Sequence, residues 1–228
     1  MSFIDTILAN LPEVRGPTEK KLSFKEKLKW TGIVLVAFFL LGLVPLFGLG
    51  ENSLQQFEFL SIILGASFGS IISLGIGPLV TSSIVLQLLN GSGIIDFNLQ
   101  TAEGKKRFQG FQKVLSIFFI LFEAGIYVFM GGLAPAAALD PGQFKLMQFI
   151  LVGQLIIGGI IIMFMDEIVS KWGFGSGISL FIAAGVSAQV VIRAFSPLST
   201  AGTWALGTGQ AAVGKVWVLI ASLAGQNP

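Results

Sequence analysis

The stretch Phe59–Ile95 runs for 37 residues without a charge, and it cannot be one ordinary membrane helix. One span takes about 20 apolar residues, and two spans with a loop need more than this stretch supplies. Its middle holds Gly65, Gly69, Gly75, Gly77 and Pro78. Glycine permits backbone angles that other residues avoid, and proline lacks the donor that a helix interior requires. The helix is therefore expected to break before Pro78 and to restart there, because proline suits a first helical turn. Broken backbone at membrane depth persists only where protein buries it or where it lines a watery cavity. The pattern points to a pore or a transport site rather than to a simple anchor.

Composition sets the class. The chain is 54% hydrophobic and 11% charged, where a soluble domain carries roughly 25% charge. It is read as a polytopic, all-α integral membrane protein. Cysteine and histidine are both absent, which removes disulfides, thiol chemistry, the usual proton shuttle and the commonest metal ligand. No nucleophile–base pair or metal set stands out, so no enzyme, catalytic residue, metal or cofactor is expected. The first 29 residues are charged, unlike a cleaved signal, and the first apolar run opens at Trp30. Within them Phe3, Ile4, Ile7, Leu8 and Leu11 recur at helical spacing, which predicts a short amphipathic helix on the inner membrane face.

Charge-free windows predict five spans: Trp30–Gly50, Gly77–Ile94, the residues after Lys113 to about Ala134, Leu146–Met165 and Phe174–Ile192. With the N-terminus inside, eleven of the fourteen basic residues fall on the inner side. Six are in the tail (Arg15, Lys20, Lys21, Lys25, Lys27, Lys29), four are in the loop after span two (Lys105, Lys106, Arg107, Lys113), and one is Lys171. Lys145, Arg193 and Lys215 are then outside. Basic residues concentrate in cytoplasmic segments, so the N-terminus is placed in the cytoplasm. Residues 197–228 make a poor sixth span, since Val213–Ala224 is only about 12 residues long and contains Lys215. The close Gly225-Gln226-Asn227-Pro228 is turn-like, as if the chain stopped in an external loop.

Four blocks in this order resemble the N-terminal half of the SecY family of protein-translocation channels, in its archaeal form. They are F-K-E-K-L-K-W-T-G-I-V-L-V from Phe24, L-G-I-G-P-L-V-T from Leu74, L-L-N-G-S-G-I-I from Leu88, and D-E-I-V-S-K-W-G-F-G-S-G-I-S-L-F-I-A-A-G-V-S from Asp166 to Ser187. The resemblance implies five transmembrane helices plus a re-entrant plug half-helix, one half of a ten-helix inverted-repeat channel. It divides the chain into a cytoplasmic tail (1–29), the five-span half (30–196) and an external hinge-loop segment (197–228). The implied function is a pore-forming subunit that passes secretory polypeptides across the cell membrane and releases membrane segments sideways. The implied partners are the C-terminal half of SecY, SecE (gamma), the Sec-beta subunit, a ribosome or other driving partner, the translocating chain with its signal sequence, and membrane lipid.

The resemblance also assigns residues. A constriction of aliphatic side chains would comprise Ile76 and Val80, then Ile178 and Ile182. Each pair is spaced i, i+4 and so shares a helix face. A narrow apolar ring dewets and resists ions; on spacing alone, the same pattern is ordinary packing. The plug would run over about 57–70, with Phe57, Glu58, Phe59, Leu60, Ile62, Ile63, Leu64, Gly65 and Gly69 named; a surface-lying helix would have the same pattern. One wall of a lateral gate would be formed by Pro78, Thr81, Ser82, Ser83 and Gln87 together with span three. Plain helix–helix hydrogen bonding is the alternative for each polar member.

Three charged features stay open. Glu123 is the one acid in mid-span, and a structural partner is favoured over proton coupling. Lys105-Lys106-Arg107 orients its loop or touches ribosomal RNA phosphate, and orientation is favoured, because the resemblance implies that the main ribosome-docking loops lie in the other half. Asp166 and Glu167 are adjacent, so they point in different directions and lack a third ligand; they are read as cytoplasmic-end residues next to Lys171. An alternative function, a subunit of a small-solute secondary transporter with a broken-helix site, would call for a charged midplane cluster, and Glu123 is not on the broken helix.

Overall fold

The computed structural model describes residues 11–17, 22–50, 69–136, 139–199, 204–205 and 212–223. The elements are α1 (Phe24–Gly42), α2 (Gly77–Gly91), α3 (Ala102–Phe129), α4 (Pro141–Trp172), α5 (Gly177–Phe195) and α6 (Lys215–Leu223). The chain forms two units, Met1–Ile182 and Ala183–Pro228, and the division falls within α5.

Local chemistry explains where the helices begin and end. α1 starts at Phe24, six residues before the apolar window, because Ser23 and Glu26 form a reciprocal capping box. The Glu26 amide donates to Ser23 Oγ at 3.3 Å, and the Ser23 amide donates to Glu26 Oε2 at 3.4 Å. Two helix-end donors are thereby satisfied. α1 then stops at Gly42, well short of Gly50; Pro45, three residues on, lacks a donor and disfavours helix at the residue before it. α2 restarts as expected, with Ile76 as its N-cap and Pro78 in the first turn. α3 begins at Ala102, capped by Thr101, whose hydroxyl accepts from the Gly104 amide at 3.0 Å. The basic cluster therefore lies on the first turns of α3, where a loop was expected. Charge is no barrier to a helix that extends beyond the apolar layer.

Each of the five expected spans overlaps a helix in whole or in part. By length and apolarity alone, three of the described helices can cross a membrane: Glu103–Phe129, Pro141–Trp172 and Gly177–Phe195. α1 carries four charges in its first turns, and α2 has 15 residues, a rise of about 22 Å against an apolar layer of about 30 Å.

In the first unit α1 and α3 both pack on α4, and α2 packs on α3. Leu151, Leu155, Ile162 and Val169 of α4 are fully buried, as are Ile72 before α2 and Ile120, Ala124 and Val128 of α3. Lipid tails are as apolar as leucine, so close contact of small residues drives this packing more than water exclusion does. Gly158 and Gly159 are the clearest case. A side chain at Gly158 would collide with the Ile71 carbonyl oxygen, and one at Gly159 would lie 2.8 Å from Ile120 Cγ2. The pair forms a notch in α4 that admits non-helical backbone on one side and α3 on the other.

The second unit holds the rest of α5, isolated bridges Leu198–Trp204 and Ser199–Ala212, and α6. The Trp217 indole donates to the Phe195 carbonyl at 2.7 Å, which ties α6 to the end of α5. At nine residues α6 is too short to span.

Candidate functional site

The broken segment 70–76 leads into α2. Ser70, Ile72, Ser73, Leu74 and Ile76 are all buried, although the backbone here is a succession of turns. Its polar groups are satisfied within the protein. The Ile71 amide donates to Val44 O at 2.9 Å, the Leu46 amide to Gly69 O at 2.8 Å, and the Gly75 amide to Ile72 O at 2.8 Å. Gly69 and Gly75 have φ of 84° and 57°, a region that glycine alone adopts freely. The Gln154 side chain holds the Phe47 backbone from both sides, accepting from its amide at 2.9 Å and donating to its carbonyl at 3.2 Å. This is non-helical backbone covered by protein, the condition under which broken backbone persists at membrane depth.

The two aliphatic pairs sit in the first turns of α2 and α5. Ile76 belongs to the buried core, and Val80 and Ile178 pack against it. Ile182 is 40% exposed. Both helices begin on a glycine that faces an acid from a neighbouring helix. A Cβ on Gly77 would lie 3.2 Å from Glu123 Oε2, and one on Gly177 would lie 2.6 Å from Asp166 Oδ1. Glu123, whose partner the sequence does not identify, thus has its carboxylate against the start of α2. A negative group is favoured there by unpaired amides and by the helix dipole.

Of the polar residues of α2, Ser82 is buried. It donates to Leu79 O at 2.8 Å and lies 2.6 Å from Ser116 Oγ of α3. Its packing role is thus a helix–helix hydrogen bond. Ser83 accepts from Gln87 Nε2 at 3.0 Å on the exposed side, Pro78 is buried and Thr81 half-buried. Of the plug residues, Phe57, Glu58, Phe59, Leu60, Ile62, Ile63, Leu64 and Gly65 lie outside the described residues, and Gly69 is the first beyond them.

A cavity of about 910 Å³ opens between the start of α3, the end of α4 and the start of α5. Its lining includes Ser83, Lys106, Lys113, Asp166, Glu167 and Ile178. Glu167 is the hub of its wall. It pairs with Lys113 of α3 at 2.7 Å and with Lys171 of α4 at 2.9 Å, and it accepts from the Val14 amide at 3.2 Å. Lys171 also reaches Glu13 at 2.6 Å and Val14 O at 2.5 Å, and the Trp172 indole donates to Arg15 O at 2.9 Å. Lys113 donates in addition to Pro12 O. Residues 11–17 are therefore strapped across α3 at Lys113 and across the end of α4. Sequence reasoning placed Asp166 and Glu167 beside Lys171 but missed this strap, since Glu13 and Lys171 are remote in the chain. The Asp-Glu adjacency was the available signal: two acids on different faces serve two different partners.

The SecY family model matches residues 70–225. The chain belongs to the SecY family. A second model, the plug domain of Sec61p, matches residues 36–69. The SecY chain of Methanothermobacter thermautotrophicus, a protein translocase subunit, is 51% identical over 195 residues, covering 86% of this chain and 41% of that relative. The SecY chain of Methanocaldococcus jannaschii is 46% identical over 197 residues, covering 86% and 43%. This SecY chain thus spans about two fifths of the length of the curated relatives it matches. Among solved structures, one described as "The structure of a protein conducting channel" aligns with a TM-score of 0.74 at 41% identity, covering 97% of this chain and 46% of that chain. Sec61 in a canine ribosome–channel complex gives the same TM-score, identity and coverage. As a member of this family the chain is a multi-pass membrane protein. The relatives are translocase subunits and channels, and none of this supports a small-solute transporter.

Proposed function

We propose that this chain supplies the N-terminal half of the pore of a protein-conducting channel in the cell membrane. The observation that carries the reading is the buried, broken segment 70–76, sheltered by the loop after α1 and by the Gly158 notch and opening into α2 at Pro78. Such a segment gives a channel a rigid, non-helical shoulder at membrane depth without exposing backbone to lipid. The five helices α1–α5 are its spans, with residues 1–29 cytoplasmic and 197–228 an external hinge loop. The distribution of basic residues supports that orientation.

In this reading Ile76, Val80, Ile178 and Ile182 form half of an apolar ring that resists ions yet makes no directional bond to a passing chain. Residues 57–70 cap the ring as a plug. Pro78, Thr81, Ser82, Ser83 and Gln87 belong to the gate wall, where the Ser82–Ser116 bond makes α2 and α3 move together. The task is passage rather than bond making, so no residue is assigned to catalysis. The missing ring members and the second gate wall come from the C-terminal half. SecE clamps the assembly from outside, Sec-beta is a further partner subunit, and a ribosome or motor drives the chain. Sec61, a solved relative, is described in a ribosome–channel complex.

The absence of cysteine makes a direct test possible. A single cysteine at Ile182 in the assembled channel is expected to form a disulfide with a cysteine in a stalled secretory chain. Such a bond needs Cα atoms within about 7 Å. A cysteine at Leu35 serves as the control and is expected to give none. No bond at Ile182, across several stall lengths, would overturn the pore reading.

A further inference from the structure

We propose that Asp166 is the positioning residue for the ring helix α5: from α4, it sets where α5 begins and so where Ile178 and Ile182 stand. This rests on the assignment of those two residues to the pore ring. The observation is a side chain from one helix doing the work of a cap on the next. The Ile178 amide donates to Asp166 Oδ1 at 2.9 Å. The first amides of a helix have no partner inside it, and a carboxylate there also meets the positive end of the helix dipole.

The approach is made possible by Gly177. Any side chain there would stand 2.6 Å from both Oδ1 and Cα of Asp166. Glycine at the first position of α5 therefore lets α4 and α5 close to backbone distance. The corner is braced by a second bond, in which the Phe174 amide donates to Thr31 Oγ1 of α1 at 3.2 Å. Beyond the corner, the rings of Phe38 and Phe181 stack at 4.9 Å. Asp166 is thus the polar end of a short lever. It fixes the first turn of α5, which carries Ile178, and one turn further lies Ile182.

The adjacent residue takes no part. Glu167 faces the tail segment and Lys113 instead. A substitution at Asp166 therefore tests α5 without cutting the strap over residues 11–17.

The test uses the full-length channel with its partner subunits in lipid vesicles, and two readouts. The first is deuterium exchange at the Ile178 amide; the second is resting ion conductance per channel. In Asp166→Ala the exchange is expected to rise at least about tenfold, the factor equivalent to about 1.4 kcal/mol, and conductance is expected to rise with it. Asp166→Asn keeps an acceptor oxygen and is expected to hold both readouts near the parental values. That rescue separates positioning from a general loss of stability. Gly177→Ala keeps the carboxylate but wedges the corner apart, so it is expected to behave like Asp166→Ala and to serve if that variant assembles poorly. Unchanged exchange in Asp166→Ala would overturn the proposal. So would raised exchange at unchanged conductance, provided that Ile178→Ser in the same channel raises conductance. If Ile178→Ser also leaves conductance unchanged, it is the ring assignment that fails, and the proposal falls with it.

Discussion

At the scale of single residues, the smallest side chains carry the tightest constraints. Gly158 receives the Ile71 carbonyl, so any Cβ must displace either α4 or the broken segment. Gly158→Ala is expected to lower stability by about 1–3 kcal/mol, the usual cost of overpacking a filled site. Thermal unfolding of the assembled channel in detergent checks it, with Gly142→Ala as the control, since nothing lies near that position. Glu13 makes a different kind of prediction. The hydrogen bond from Lys171, and then its charge, hold the Glu13 carboxyl below its ordinary value. A lowered acid pKa contributes stability above the unfolded value near 4.5, and that contribution disappears as pH falls through the folded value. The groups facing it are Lys171, Lys113 and Lys106. The contact of residues 11–17 should therefore persist at neutral pH and loosen only in acid. Trp172 fluorescence, taken as the difference from Trp172→Phe, reports it. Glu13→Gln should flatten that acid limb; an unchanged limb would count against the assignment.

At the scale of elements, α3 and α4 are held at one end by charge and along their length by packing. The Lys113–Glu167 pair is largely buried, at 13% and 16% side-chain exposure, so removing one partner leaves the other charge buried and uncompensated, which costs more than losing a surface ion pair. Glu167→Gln keeps the size of the side chain and removes its charge. Hydrogen bonds to charged groups contribute about 1.5–3 kcal/mol, so tryptic cleavage after Arg15 in the purified channel is expected to speed up at least about tenfold. Glu103→Gln, which removes an exposed pair with Arg107, should leave the cleavage rate alone. The same elements show what a sequence reveals. The restart of α2 was legible because Gly77-Pro78 is local chemistry. The starts of α1 and α3 lie before the apolar windows, which mark spans and not helix ends; the caps, Ser23 with Glu26 and Thr101 before Gly104, were there to be read. The strap of residues 11–17 was not legible. Its bonds join positions more than 100 residues apart, and no periodicity encodes them.

At the scale of the whole molecule, the sequence motifs reached the family and the order of the helices. They did not reach the surroundings of the ring. Ile76 lies in the core of its own unit while Ile182 is 40% exposed, a difference that spacing alone cannot foresee. If the ring is the ion seal, replacing Ile76, Val80, Ile178 and Ile182 with serine should raise the resting conductance of the assembled channel, because polar side chains rewet a narrow passage. Single-channel recording in planar bilayers measures it, and unchanged conductance would remove these residues from the seal.

The notch at Gly158 bears on the order in which the protein is made. Ile71 leaves the ribosome long before the glycine that will cover its carbonyl oxygen. Until α4 arrives, the turns before α2 lack their final neighbour, and bare peptide groups are poorly tolerated in lipid. The early helices must therefore wait, in a watery or chaperoned setting, for a later one. With a single cysteine introduced into α2 of this cysteine-free chain, a chain whose synthesis is arrested before Gly158 should still be labelled there by water-soluble thiol reagents, and one arrested beyond the end of α4 should not.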